Sequence, residues 1–194
     1  MSNILIINAH HYYVFSKGKL NKSLAEKAQS FFEKKGDIVK TTTMKEDWNV
    51  SEEIEKFHWA DKIVLQSPVN WMGVPWIFKK YMDEVFSAGM FGDLCNNDGR
   101  STSSPKKGYG TGGTQNGKEY MLSLTLNAPK EAFNNESEYL FEGKSIDDLM
   151  LPMHANFKFF GMKGLPTFSC YDVLKNPDIE NDFQRFEYHL KTYF

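Results

Sequence analysis

Apolar residues in this chain recur with two periods, which predict strands that alternate with helices. Residues 4–7 form a continuous apolar run, and residues 63–65 form a second one. Such runs are typical of strands buried on both faces, as in a parallel sheet. Between them, residues 20–35 carry apolar side chains at helical spacing and precede Gly36, a residue that commonly ends helices. The chain therefore begins with a strand, a loop and a helix.

The remaining sequence continues this alternation. β-branched and apolar stretches predict further strands, while caps and prolines predict further helices. The later strands are predicted at residues 37–43, 62–66, 120–126 and 166–171. The later helices are predicted at residues 75–86, from the capping box Ser145–Asp148 toward Gly161, and from Asn176 as N-cap with Pro177 at N1 to Leu190. We therefore predict one α/β domain over residues 1–194, with a five-stranded parallel sheet of flavodoxin-like order and helices on both faces.

Composition narrows the classes of partner and compartment. The 23 Lys and Arg residues against 25 Asp and Glu are spread along the chain, which argues against nucleic acid or an anionic membrane as the main partner. No stretch has the features of a signal peptide or the length of a membrane span, so we expect no membrane insertion. Cys95 and Cys170 are too few for a disulfide framework, which indicates a reducing cytoplasm. The aromatic content of 15% is high enough to line a site for a flat ligand.

Ligands of open α/β sheets bind beyond the carboxyl ends of the strands, so the loops after strands one, three and four are the candidate sites. The loop after strand one places hydroxyl, amide and lysine groups at a helix N-terminus, which suits a phosphate or pyrophosphate. An ordinary N-cap with solvated lysines fits the same residues equally well. Without a Gly-x-Gly-x-x-Gly motif, NAD is not the ligand expected here. The candidate phosphate-binding residues are Ser16, Lys17, Gly18, Lys19, Leu20, Asn21, Lys22 and Ser23.

The loop after strand three places two Trp, a Met and two Pro where turns are normally polar. A planar ring fits against such a rigid apolar wall. The alternative is that the Trp side chains bury themselves against the following helix, which we expect of Trp76 more than of Trp71. The candidate wall consists of Pro68, Val69, Asn70, Trp71 and Met72.

Two segments flank strand four. The glycines of residues 108–113 permit close approach of a ligand to the backbone, and Asn127 at the strand end has an amide that can donate to a carbonyl or ring nitrogen. The alternatives are a flexible glycine loop and an N-cap role for Asn127 ahead of Pro129. The polar connection of residues 87–118 is long for a compact domain, which favours a function for it.

Several other activities are excluded. Residues 112–118 read Gly-x-x-x-x-Gly-Lys, but Glu119 follows where a Ser or Thr is required, and a strand is predicted in place of a helix, so we expect no ATP or GTP binding. The five His are adjacent or far apart, which argues against a metal site. A Gly-x-Ser-x-Gly elbow for hydrolysis is also missing from the sequence.

These residues together suggest a family. The chain resembles, over nearly its whole length, the bacterial flavodoxin-like NAD(P)H:quinone oxidoreductases known as modulator of drug activity B, which are relatives of DT-diaphorase. The most specific stretches are residues 16–21 (Ser-Lys-Gly-Lys-Leu-Asn), 71–76 (Trp-Met-Gly-Val-Pro-Trp), 79–86, 107–110, 117–123, 127–133 and 165–168. Phe15, Val69, Asn70 and Leu126 depart from the family pattern, in which His, Gly-Trp and Trp are common at these places.

The resemblance implies a cofactor and a reaction. It implies FAD, rather than FMN, held noncovalently with its pyrophosphate on residues 16–23. The isoalloxazine is then expected among residues 68–72, Tyr109, Thr125, Leu126, Asn127 and Ala128. NAD(P)H and then a quinone are expected to react over the same flavin face in a ping-pong cycle, with Asn127 stabilising negative charge on the ring. Tyr109 or His154 is expected to place or protonate the quinone.

The resemblance also implies a homodimer, and the long connection of residues 87–118 is a segment that a partner subunit could order. Two rival functions share the predicted fold. One is an FMN-binding flavodoxin that only carries electrons, which the long connection and the many lysines disfavour. The other is a cofactor-free interaction domain, because a fold alone does not determine function.

Overall fold

A parallel sheet organises the computed structural model, which describes residues 1–44 and 47–194. Its strands are β1 (Asn3–Asn8), β2 (Ile38–Thr43), β3 (Lys62–Pro68), β4 (Glu119–Thr125), β5 (Lys163–Gly164) and β6 (Phe168–Cys170). The order is β2-β1-β3-β4, and β4 pairs with β5 along its amino half and with β6 along its carboxyl half. Every pairing is parallel. The predicted five-stranded flavodoxin-like sheet is confirmed, with the fifth position divided between two short strands.

Helices cover both faces of the sheet. They are α1 (Lys19–Lys35), α2 (Val50–Trp59), α3 (Trp76–Tyr81), α4 (Ile146–Leu149), α5 (Leu151–Phe159) and α6 (Ile179–Tyr193). A π-helical turn, Met82–Phe86, continues α3, and a 3₁₀ turn, Lys130–Ala132, follows β4. No helix among the described residues is long and apolar enough to cross a membrane.

The buried strands divide their side chains between two cores, because successive residues of a strand point to opposite faces. Ile4 and Ile6 pack with α1 and α6 through side chains such as Phe32 and Phe186. Leu5 and Ile7 belong to the core that α2, α3 and α5 cover on the other face. Sequence periodicity thus predicts both layers correctly.

The helices differ from the sequence-based expectation at three places. Helix α2 was not predicted, although Asn49 caps it by accepting hydrogen bonds from the backbone N–H groups of Ser51 and Glu52 at 3.0 and 3.3 Å. The predicted N-cap at Asn176 is wrong, because α6 begins only at Ile179 and Asn176 donates its backbone N–H to Asp172 in a preceding turn.

The third correction concerns the segment that follows Ser145. The predicted capping box is present, with Ser145 and Asp148 bonded reciprocally. The helix nevertheless breaks at Met150, and α5 begins again at Leu151. Pro152 explains the break, since proline lacks an N–H and clashes with the preceding turn of an uninterrupted helix.

The long connection of residues 87–118 packs on its own chain. Leu94, Cys95 and Gln115 are buried, and the Gln115 backbone N–H donates to the Phe160 carbonyl at 2.8 Å. A Cβ added at Gly113 would lie 2.2 Å from the Phe160 carbonyl carbon. The glycines predicted to admit a ligand or to form a flexible loop therefore include one that admits the chain's own backbone.

A buried carboxylate ties α2 to the sheet and to α3. Glu53 accepts hydrogen bonds from the hydroxyls of Thr42 and Tyr81 at 2.8 and 2.9 Å and from the Lys56 ammonium at 2.6 Å. All three donors lie within hydrogen-bonding distance, which offsets the cost of burying the charge.

This arrangement predicts that Tyr81→Phe destabilises the fold by about 1.5 to 3 kcal/mol, the usual contribution of a hydrogen bond to a charged group. Denaturant unfolding followed by circular dichroism measures the change. Tyr188→Phe is the matched control, because Tyr188 is exposed. Equal stability of the two variants would contradict the role given to Glu53.

Candidate active site at the carboxyl edge of the sheet

A cavity of about 440 Å³ opens where the strands end. It is lined by residues from the loops after β1, β3 and β4, as the sequence predicted, and by a fourth segment after β6. The lining residues are 14–21, 68–70, 125–127, Val173, Leu174 and Ile179. The fourth segment was missed, because a turn of mixed polarity carries no periodic signal.

The loop after β1 delivers a helix N-terminus to this cavity. Helix α1 begins after Gly18, and among the described residues no side chain caps it, so the N-cap alternative is excluded. Gly18 has φ 71°, and a Cβ there would lie 2.2 Å from the His10 ring, so glycine is required. Free N–H groups of the first turn, flanked by Lys17 and Lys19, form an environment suited to a phosphate.

The His10 side chain contacts the backbone of this loop. Its Nε2 lies 3.1 Å from the Ser16 carbonyl oxygen, and burial lowers the pKa of the imidazole. A neutral ring that donates from Nε2 holds the turn between Tyr13 and Ser16, whose backbones exchange two hydrogen bonds of 3.0 Å. The ring therefore fixes the loop that precedes α1.

The other predicted phosphate ligands differ in whether they line the cavity. Leu20 lines the cavity, whereas Lys22 lies 3.7 Å from Glu26 and Ser23 does not line the cavity. Asn21 is only 4% exposed, and its amide is bonded to Gln66 and Thr125. The structure therefore gives no support to Asn21 as a pyrophosphate donor, because its side chain is already committed within the protein.

The loop after β3 makes a tight turn from Asn70 to Gly73, which exchange backbone hydrogen bonds of 2.8 and 3.1 Å. Trp71 and Met72 at its tip have φ of 48° and 65°, a left-handed conformation that is strained for bulky side chains. Trp71 is 98% exposed and so does not belong to the core. The expectation that Trp76 is buried against the helix is wrong, since Trp76 is 54% exposed and its ring contacts His11 edge-on.

A second, apolar cavity of about 210 Å³ adjoins the first. The two share Val69, Leu126 and Asn127. The second cavity is completed by Trp71, Met72, Ala128, Phe133, Leu140, Phe141 and Leu149. Most of the predicted ring-binding residues therefore line one or both of these neighbouring cavities.

The end of β4 presents both apolar and polar groups to this space. Thr125 and Leu126 are buried, and Leu126 packs with Phe133 and Phe141. Asn127 is exposed, and the 3₁₀ turn that follows has Pro129 at its N-cap, so the alternative capping role of Asn127 is excluded. Its amide remains available to a ligand.

Tyr109 does not lie at this cavity. Its ring contacts Phe159 at the end of α5, with 5.7 Å between centroids. Just beyond α5, Phe160 accepts from Gln115, and β5 pairs with the amino end of β4. Tyr109 therefore lies toward the edge of the sheet opposite the cavity, and the geometry of a single chain does not support its predicted role.

His154 is likewise engaged elsewhere. Its Nδ1 lies 2.8 Å from the Tyr120 hydroxyl, and its Nε2 lies 3.2 Å from the Asp147 carboxylate. The hydrogen bond from His154 lowers the pKa of Asp147, while burial and Asp147 raise the pKa of Tyr120 to about 12. With both ring nitrogens paired, His154 joins α5 to α4 and β4, and the structure does not support its predicted role as a proton donor.

Two further predictions, of no metal site and no disulfide framework, depend on the His, Cys, Asp and Glu side chains. No group of His, Cys, Asp and Glu among the described residues is suited to hold a metal ion. Cys95 and Cys170 are buried free thiols, and burial raises the pKa of both. Neither thiol lines the cavity.

The exposure of Trp71 leads to a prediction. We expect Trp71→Ala to change the free energy of unfolding by less than about 0.5 kcal/mol, as for an exposed site. Ligand binding at the second, apolar cavity, which Trp71 lines, should weaken. Phe78→Ala is the comparison variant, because a buried ring truncated in the core costs about 3 to 5 kcal/mol. Thermal unfolding of the ligand-free protein measures both. A large loss of stability in Trp71→Ala would assign this ring to the core.

Known proteins share this sequence and fold. The chain is 43% identical over 192 residues to the NADPH:quinone oxidoreductase MdaB of Haemophilus influenzae, and the alignment covers 99% of each protein. A quinone reductase structure from Klebsiella pneumoniae superposes with a TM-score of 0.76 at 20% identity, covering 99% of this chain and 85% of that one. General stress protein 14 of Treponema denticola, solved in complex with FMN, superposes with a TM-score of 0.64 at 17% identity, covering 100% of this chain and 95% of that one.

The two structures show the fold, and the sequence relative shows the family. A family model described as a flavodoxin-like fold matches residues 2–193. The chain therefore belongs to the flavodoxin-like family and is a full-length relative of MdaB.

Proposed function

We propose that this protein is a flavin-dependent NAD(P)H:quinone oxidoreductase. One observation carries the proposal: a single cavity at the carboxyl edge of the sheet joins an uncapped, lysine-flanked helix N-terminus to an apolar wall. A ligand with both a phosphate and a planar ring would complement the two parts of this cavity. The full-length relative named NADPH:quinone oxidoreductase supports the same activity.

The residues present fit a flavin. Its phosphate would be held by the first turn of α1 with Lys17 and Lys19, and its ring by Pro68, Val69 and Thr125. When bound, the flavin supplies the hydride chemistry. The protein orients the ring, excludes water from its buried edge and offers the Asn127 amide to the charge that develops.

FAD is the flavin that we propose, with FMN as the second candidate. Helices α1 and α6 pack side by side on one face, so the segment of Val173, Leu174 and Ile179 lies beside the phosphate-binding turn. The cavity crosses the ends of β1, β3, β4 and β6, which is about 14 Å at the usual strand spacing. We propose that an adenosine group binds in the part of the cavity lined by Val173, Leu174 and Ile179.

The acceptor is proposed to bind over the flavin in the adjoining apolar cavity. Val69 and Leu126 line both spaces, so a flat apolar molecule bound there would be in reach of the ring. Trp71 and Met72 line the same apolar cavity. Because donor and acceptor would use one face in turn, we propose a ping-pong cycle.

These proposals predict that the purified protein is yellow, releases FAD on denaturation, and oxidises NADPH in the presence of menadione. Initial rates at several menadione concentrations should give parallel double-reciprocal lines. Colourless protein would favour a cofactor-free domain. Flavin that is reduced without turnover of menadione would favour an electron carrier, and intersecting lines would argue against a shared site.

A homodimer is proposed from the surface around the cavity. Val14, Phe15 and Trp71 line the two cavities and are each at least 80% exposed, and exposed large apolar residues near one another commonly mark an interface. A two-fold dimer would bury the same patch on both chains and enclose the acceptor. Two buried free thiols also support the proposal that the protein works in the reducing cytoplasm.

We expect sedimentation to show a dimer. The activity per bound flavin should fall when the protein is diluted below the dissociation constant of the dimer. Phe15→Ser should weaken the dimer, whereas Tyr188→Ser, on the exposed side of α6, is the control. Full activity per flavin in a demonstrated monomer would refute the coupling of association to catalysis.

A further inference from the structure

Four buried polar side chains form a continuous chain beneath the cavity. The Ser123 hydroxyl donates to Gln66 Oε1 at 2.6 Å, Gln66 Nε2 donates to Asn21 Oδ1 at 2.8 Å, and Asn21 Nδ2 donates to Thr125 Oγ1 at 3.0 Å. All four residues are buried. Asn21 and Thr125 line the cavity, whereas Ser123 and Gln66 do not. Two members of this relay therefore lie out of reach of a ligand in the cavity.

The hydrogen bonds of the relay run in one direction. The 2.6 Å distance at Ser123 is typical of an O–H···O bond and short for an N–H···O bond. With Ser123 as donor, the nitrogen of Gln66 faces Asn21 and the nitrogen of Asn21 faces Thr125. The reverse direction would leave the Ser123 hydroxyl hydrogen without an acceptor among the described residues, which is costly in a buried site.

The direction determines what the last member can do. Thr125 Oγ1 accepts from Asn21, so its hydrogen must point to another acceptor. Within the described part of the chain the acceptor is Asn21 Oδ1 at 3.3 Å, which is longer than a normal O–H···O bond, and that oxygen already accepts from Gln66. The hydroxyl hydrogen is thus weakly held beside the cavity.

We propose that the relay presents the Thr125 hydroxyl as a donor to an acceptor atom of the bound flavin ring, with Asn21, Gln66 and Ser123 as positioning residues. This inference rests on the proposed flavin binding. It replaces the predicted contact of Asn21 with the pyrophosphate by a role in orienting Thr125.

A donor fixed in this way favours one redox state. Hydrogen bonds to ionised acceptors are roughly twice as strong as those between neutral groups. Negative charge would develop at the N1 and O2 edge of a flavin on reduction, so a Thr125 hydroxyl that donates to this edge would stabilise reduced flavin more than oxidised flavin. The relay therefore raises the reduction potential of the bound flavin.

The test compares the affinities of the two redox states. FAD is titrated into flavin-free protein, aerobically in oxidised form and anaerobically after reduction with dithionite. In Thr125→Val we expect the affinity for reduced FAD to fall about tenfold more than the affinity for oxidised FAD. Thr125→Ser retains the hydroxyl, so its ratio of reduced-FAD affinity to oxidised-FAD affinity should stay within about twofold of the wild-type ratio. Thr192→Val, at an exposed site near the end of α6, is the matched control.

The relay itself is tested by Ser123→Ala, which adds no charge and removes the first donor. This variant should lower the ratio of reduced-FAD affinity to oxidised-FAD affinity by about threefold. Without the Ser123 donor, the amides of Gln66 and Asn21 are free to flip, and the Asn21 oxygen then accepts the Thr125 hydrogen. Ser123→Cys, with a weaker donor of similar shape, gives the same comparison if the Ala variant folds poorly. Melting temperatures establish that each variant is folded.

Three outcomes would overturn the inference. An equal loss of affinity for both redox states in Thr125→Val would make Thr125 a uniform contact. A normal ratio in both Ser123 variants, beside a lowered one in Thr125→Val, would show that Thr125 acts alone. Wild-type protein that binds no FAD would refute the proposed function as well, whereas wild-type protein that binds FAD and turns over menadione leaves that function standing.

Discussion

The burial of β1 on both faces is the constraint on which the rest of the structure depends. Residues 4–7 are almost fully buried, so two layers of helices must cover them. Because β1 pairs in parallel with β2 and β3, each connection between these strands must run from the carboxyl end of one strand back to the amino end of the next. The loops after β1, β3 and β4 therefore all begin at the carboxyl ends of the strands, and the cavity forms there. The location of the site thus follows from the burial of one apolar strand.

The same sheet carries polar groups where its strands approach the site. Gln66 lies in β3, Ser123 lies in β4, and Asn21 lies in the first turn of the amphipathic helix α1. Buried amides and hydroxyls are tolerated only when bonded, and a fully bonded network fixes the relative positions of its members. The network therefore secures the start of α1 against β3 and β4. The first turn of α1 and the ends of β3 and β4, which line the cavity, are held in one geometry by these bonds.

Periodicity and caps predict the sheet and most of its helices, because burial of alternate residues is a local signal. Contacts between distant segments carry no such signal. The sequence shows Asn21 at a helix start, which suits a phosphate ligand, but only the fold reveals Gln66 and Thr125 beside its amide. The pairing of His154 with Tyr120 and the distance of Tyr109 from the cavity were invisible for the same reason. The loops could be predicted, and the direction of individual side chains within them could not.

The turn at Trp71 and Met72 shows how strain and exposure together indicate function. Each left-handed bulky residue costs about 1 to 3 kcal/mol, and neither side chain is buried in the core to compensate for that cost. The backbone hydrogen bonds between Asn70 and Gly73 hold the turn closed. Both side chains line the second, apolar cavity. Because strained backbone clusters at ligand-binding and switch sites, the turn supports the apolar cavity as part of the candidate site.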